Sequence, residues 1–323
     1  YNIPANGVGF LDSLIIKTGG INAGSYSLTT DVLKGMRIDG VISGTGGSLT
    51  KISGDTLVLG GTNTYTGSTL INAGAVEMKN SAAFGTASGT TTVASGATVQ
   101  IEGADFLIPE PITVSGIGVQ VNSVYQGAIK NIRNKNTWSG AITLGLSSTI
   151  VSGTLSGTTT DSLALTGNIV TGGYTLTADV VKGMRMDGVI SGAGGINKIS
   201  GDTLILGGAN SYSGPTTIAA GVIQLQNQDG LGSTTAGSVG ASTTTVANAA
   251  ALKITGTGYV IPEAILITGI GVVVGAIAGY LYYSFVGCAS GTCAITSKPV
   301  NSTLYGSLMG GLLFNMFVTS PKK

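Results

Sequence analysis

Along most of this chain, short apolar runs alternate with hydroxyl-bearing residues, and glycine or asparagine interrupts them before a helix could complete three turns. Thr56–Leu59, Thr69–Asn72, Ala75–Met78, Thr91–Ala94 and Thr98–Ile101 are typical, each rich in Val, Ile, Leu or Thr. Branched side chains suit the pleat of a strand, and a period of two puts every second one on the same face. Gly-Gly, Ser-Gly, Asn and Asp stand between the runs and read as turns. The pattern predicts an all-β fold of many short strands, spaced about ten residues apart.

The pattern also recurs on a longer scale. "KGMRIDGVISG" from Lys34 returns as "KGMRMDGVISG" from Lys182, an offset of 148. "GDTLVLGGTNTYTGSTLINAGAVEMKN" from Gly54 returns as "GDTLILGGANSYSGPTTIAAGVIQLQN" from Gly201, an offset of 147. "IPEPITVSGIGV" at Ile108 returns at Ile261 as "IPEAILITGIGV", an offset of 153. The wider spacing comes from about six extra residues within Asp229–Ser242, an insertion that must sit in a surface turn. The chain divides into repeat unit 1 (1–157), a truncated repeat unit 2 (158–271) and a different C-terminal segment (272–323). So many short strands exceed what one sandwich holds, and the approximate repeat tolerates insertions, so the pattern predicts a parallel solenoid. At about 20 to 25 residues per coil it would stack about a dozen coils, with Leu, Ile and Val inside and Thr, Ser and Asn outside.

Composition supports stacking. Only 9% of the residues are charged, against about a quarter in an ordinary soluble domain, and 54 of 323 are glycine. The net charge is +1 with no basic run, which argues against a nucleic-acid partner. There is no histidine, and the two cysteines, Cys288 and Cys293, lie near the C-terminus, so the body has neither thiol nor imidazole chemistry. The chain starts at Tyr1 without a signal peptide, which reads as a processed terminus or the edge of a fragment.

The two long strings resemble the autotransporter passenger-associated repeat: a Gly-x-Leu-x-Leu strand, an Asn-x-Tyr-x-Gly turn, then Thr-x-Ile-x-x-Gly and a closing apolar strand. Leu57, Leu59, Asn63, Tyr65, Gly67, Ile71 and Gly74 fill those places in the first copy. Leu204, Leu206, Asn210, Tyr212, Gly214, Ile218 and Gly221 fill them in the second. The resemblance implies a right-handed β-helix outside a Gram-negative-type cell. Autotransporters end in a translocating β-barrel, and no such segment follows these repeats here.

Near Gly271 the match between copies breaks, as at a junction of two unrelated sequences. Ala264 to Ser297 contains no charge, and Ala264–Val286 is long enough for a spanning helix, with Leu304–Val318 as a second, shorter run. Gly271, Gly275 and Gly279 recur at four-residue spacing, as do Gly306 and Gly310, and such spacing lets membrane helices approach closely. The segment Gly279–Leu313 resembles a family of small bacterial two-helix membrane proteins of unknown function, chiefly through Gly-Cys-x-Ser-Gly-Thr-Cys-x-Ile-Thr-Ser at 287–297. A C-terminal two-helix transmembrane hairpin, with membrane contact over about 264–319, is the expectation. Continued β structure in "VVVGAIAGYLYYSF" is the alternative.

Candidate chemistry is sparse. Asp31/Asp179, Lys34/Lys182, Arg37/Arg185, Asp39/Asp187, Asp55/Asp202 and Glu110/Glu263 recur in both copies, which suits turns and surface pairs better than one catalytic centre. Calcium could bind stacked Asp and Asn turns, but the Gly-Gly-x-Gly-x-Asp pattern is absent. Cys288 and Cys293 read as a disulfide or paired thiols, and two thiolates without histidine are too few for a zinc site. Asn63, Tyr65, Gly67 and their twins Asn210, Tyr212, Gly214 read as a corner that covers the core edge, and exposed tyrosines there would suit host or matrix glycans. Trp138 reads as core. No catalytic, cofactor or metal residue is expected. The expected protein is a non-enzymatic cell-surface structural or adhesive β-helix, membrane-attached or self-associating end to end through its open strand edges. Its alternatives are a subunit of an extracellular filament or sheath, and a polysaccharide-active enzyme.

Overall fold

The computed structural model describes residues 14–17, 19–154, 156–232, 243–261, 263–267, 270–285 and 298–319. The chain falls into two compact units, one of residues 1–244 with 251–264, the other of 245–250 with 265–323.

The first unit is a parallel solenoid, as the strand spacing predicts. Leu14–Ile16 pairs with Met36–Ile38, and the ladder runs on through Thr56–Leu59, Gly74–Met78, Ala97–Glu102, Ile129–Arg133, Ile142–Ser152, Leu176–Val180, Ile196–Ile199 and Thr216–Ile218. These strands are joined edge to edge and all are parallel. Leu57 pairs with Val76, 19 residues on, and Val99 with Ile129, 30 on, so coil length varies while the pairing persists. Variation of this kind is absorbed at the corners. Between Val114 and Ile129, for example, the chain extrudes a hairpin, Gln120–Val121 against Val124–Tyr125, the one antiparallel pair among the described residues.

The period of two decides what faces inward. In Thr56–Leu59, Leu57 and Leu59 are fully buried while Thr56 and Val58 are partly exposed. Down the ladder Leu57, Val76, Val99, Ile129, Ile150 and Ala178 form one inward file, every member fully buried. Each large aliphatic side chain in such a file contributes about 1.5–3 kcal/mol. Glycines sit where coils approach most closely: a Cβ on Gly67 would lie 2.5 Å from the Gly47 carbonyl oxygen, and one on Gly214 would lie 2.5 Å from the Gly194 carbonyl carbon.

The two sequence copies do not stack as straight translations of one another. Thr56–Leu59 lies on the ladder just described, but its twin Thr203–Leu206 lies on another, with Phe106–Ile108, Lys135–Trp138, Ser162–Leu165 and Met184–Met186. Likewise Ser27–Asp31 pairs with Ser48–Ile52, whereas its twin Leu176–Val180 lies on the first ladder. The coils have three faces, most of them carrying a short strand, and the second copy is advanced by one of these three faces. The long strand Ile142–Ser152 spans two faces. Its first half pairs with Ile112–Gly116 and Ile169–Val170, its second half with Ile129–Arg133 and Leu176–Val180.

The second unit holds two helices, α1 (Ile270–Phe285) and α2 (Pro299–Thr319), which pack against each other. The expected spanning helix over Ala264–Val286 is not present. Ala264–Ile267 is a strand, and α1 has 16 residues, about 24 Å of helix against a hydrocarbon layer of about 30 Å. α2 is longer than expected, at 21 residues, but carries Asn301, Ser302, Thr303 and Ser307. Among the described residues no helix is long and apolar enough to cross a membrane. Cys288 and Cys293 lie outside the described residues.

Candidate functional site

The most elaborate chemistry lies inside the solenoid and is built twice. In "SLTKISGD" the alternation that buries Leu49 also turns Lys51 inward, and Lys51 is fully buried. The chain then turns at Ser53, whose φ is 69°, in the left-handed region. This turn aims carbonyl groups back at the lysine. Its Nζ donates to the carbonyl oxygens of Ile52 (3.1 Å), Ser53 (2.8 Å) and Ala73 (3.0 Å). Lys198 repeats the arrangement with Ile199 (2.9 Å), Ser200 (2.6 Å) and Ala220 (3.0 Å), Ser200 again having a positive φ of 65°. Burial pulls both amines below the ordinary lysine range, Lys198 to about 8, while Asp55 and Asp31, or Asp202 and Asp179, oppose the drop. Three acceptors require three N–H donors, so the ammonium is the species these cages hold at neutral pH.

Around each cage the recurrent aspartates secure turns. Ser53 donates to Asp31, and Ser200 to Asp179 at 2.5 Å. Asp55 accepts from the amides of Gly35 (2.9 Å) and Thr56 (2.7 Å), and these bonds hold its carboxyl below the usual range. Arg37 binds both oxygens of Asp39 through Nε, and Arg185 binds Asp187 at 2.5 Å. These pairs match the expected turn and surface-pair roles.

The Asn-x-Tyr-x-Gly corner is more deeply placed than expected. Asn63 stands where a strand of the third face would continue, and its amide replaces the rung: Oδ1 accepts from the Ile42 amide at 2.8 Å and Nδ2 donates to the Ala83 carbonyl at 2.6 Å. Asn210 does the same with Ile190 (2.9 Å) and Gly230 (2.7 Å). Tyr65 and Tyr212 are fully buried, with hydroxyls 2.6 Å from Thr69 Oγ1 and Thr216 Oγ1, and burial pushes both phenols far up. A buried ring cannot stack on a sugar, so these tyrosines do not form the exposed glycan platform the sequence suggested.

Glu110 and Glu263 are also not surface charges. They are 4% and 8% exposed, and accept from Thr91 Oγ1 (2.9 Å) and Thr244 Oγ1 (2.8 Å). Thr91 pairs with Thr69 in the next coil, so Tyr65, Thr69, Thr91 and Glu110 form a polar column through three coils. Desolvation pushes the Glu110 carboxyl up to about 7, against the Thr91 hydrogen bond. Trp138 is core, as expected, and donates Nε1 to the Glu110 carbonyl at 2.9 Å.

In α1, a Cβ on Gly279 would collide with the Ser302 carbonyl and lie 3.1 Å from Gly306 Cα. Ser302 Oγ donates to the Gly279 carbonyl at 2.6 Å. Gly279 and Gly306 therefore sit together at the helix crossing. Gly310 lies one turn further along α2, and Gly271 and Gly275 lie on the first turns of α1.

Residues 49–78 and 196–225 match the model of the passenger-associated-transport-repeat. The matched segments take in both lysine cages, both Asn-x-Tyr-x-Gly corners and the strands that carry them. Residues 262–320 match a family of unknown function, DUF6132. Comparison with curated proteins and with solved structures gave no match.

Lys51 and Lys198 belong to none of the motifs singled out in the sequence. Their signal was present, in "KISGD" recurring at an offset of 147 and in the inward phase each lysine shares with an aliphatic residue two positions before it.

Proposed function

We propose that the solenoid is a non-enzymatic passenger of the autotransporter type, exposed outside a Gram-negative-type cell as a structural or adhesive element. The observation that carries this reading is where the two passenger-repeat matches fall: on strands of continuous parallel ladders, with their polar motif residues consumed in holding coils together. The recurrent acids support it, because each described one is engaged in a turn, an ion pair or a buried hydrogen bond rather than gathered at a cleft. The helical unit serves as the attachment. Its exposed Tyr280, Leu281, Tyr282, Phe285, Leu304 and Tyr305 suit the interfacial zone of a bilayer, where amphipathic rings settle.

Surface labelling of intact cells expressing the full chain, followed by fractionation with and without detergent, tests the proposal. Labelled protein that partitions with membranes until detergent is added supports it. Protein retained inside unbroken cells, or released freely into buffer, overturns the surface or the attachment part respectively. Fibres that pellet without membranes would favour the filament.

A further inference from the structure

We propose that Glu110 is an acid latch within the solenoid: protonated, it closes the coils around Thr91, and its ionisation loosens them. The geometry is a buried carboxyl, 4% exposed, at the foot of the Tyr65–Thr69–Thr91 column. The element below contributes Trp138, which bonds to the Glu110 carbonyl and leaves the carboxyl to Thr91. The titratable group that faces it is Tyr65, itself neutral and held up by burial, and no lysine or arginine among the described residues offsets a charge there. A carboxylate left in such surroundings keeps one neutral donor and loses its hydration. The second copy builds the same column from Tyr212, Thr216, Thr244 and Glu263, in spite of the longer turn between its two threonines.

The sign follows from the carboxyl's position, raised from 4.5 to about 7. Below pH 4.5 the folded and unfolded chains both hold the proton, and the contribution to stability is complete. Between there and about pH 7 the unfolded chain releases it first, so stability falls as pH rises, and above that range the contribution is gone. This is opposite to the usual behaviour of a paired carboxylate.

Urea unfolding of the full chain at pH 5 and pH 8 tests the latch, with Glu110→Gln as comparison. The wild-type unfolding constant is expected to rise about a hundredfold more than that of the variant over this interval. Equal pH dependence of the two proteins overturns the proposal. A measurement on the wild type stands apart from the variant's ability to fold. The chain has four glutamates, Glu77, Glu102, Glu110 and Glu263, so carboxyl-labelled glutamate gives a simple NMR spectrum. A Glu110 carboxyl signal titrating near pH 7 supports the latch, and a Glu110 signal titrating in the ordinary glutamate range refutes it.

Discussion

The two copies of the repeat share an interior and differ outside. Both cage a lysine in three carbonyls, both replace a strand rung with an asparagine amide, and both run a Tyr–Thr–Thr–Glu column. On the outer side, the first copy carries an ion-pair chain. Lys79 reaches Glu77 (2.6 Å) and Glu102 (2.5 Å), and Arg133 also meets Glu102. In the second copy neutral groups take these places. Gln224 donates to Thr255 Oγ1 (3.3 Å), and Arg185 donates to Gln226 Oε1 (2.7 Å). The difference separates what stacking demands from what it merely permits. Inside, an unmatched carbonyl or amide has no water to turn to, and the same partner must be supplied each time. Outside, water substitutes for either solution.

The sharpest way to break the comparison is to remove the cage ammonium. Lys51→Met and Lys198→Met keep length and bulk but take the ammonium donor away from three carbonyls each. Each should destabilise the solenoid by about 3 kcal/mol or more, and by similar amounts in the two copies. Denaturant unfolding measures this, and a loss of less than about 1 kcal/mol in either variant would show that the cage is incidental. Next in size, Tyr65→Phe and Tyr212→Phe remove one buried hydroxyl each and should cost about 1–2 kcal/mol. A marked inequality between them would mean the two columns are not equivalent. The smallest effect should distinguish the copies. Raising salt screens the Glu77–Lys79–Glu102–Arg133 chain but not the glutamine pairs, so hydrogen exchange over 74–102 should accelerate slightly, by under about 1 kcal/mol, relative to 222–254. Equal response of both segments would remove the contrast.

Much of the fold was legible because the repeat is printed twice and the strand period is strict. Leu57 and Leu59, or Leu204 and Leu206, announce an inward pair by alternation alone. The glycines of the Asn-x-Tyr-x-Gly corners follow from coil-to-coil approach. Charge and polarity mislead at a few positions. The pattern predicts surface or turn positions for Glu110 and Glu263 and open rings for Tyr65 and Tyr212, and it gives Lys51 and Lys198 no role, yet all six are buried. For the glutamates, and for one of each lysine's three carbonyls, a neighbouring coil supplies the partner from about twenty residues away, a distance that local pattern does not register. The C-terminal run departs from expectation for another reason: uncharged length predicts helix from Ala264 onward, but Ala264–Ile267 is strand.

The sequence alone determined that this protein stacks short strands in two copies of one unit, since alternation, small residues and the repeat are local properties of the chain. Only the tertiary structure decided that the second copy is advanced by one face, and that Lys51, Lys198 and the two glutamates are enclosed. Parallel pairing joins strands through whole coils of unequal length. Register therefore accumulates from every corner and insertion along the way, and no single segment encodes it.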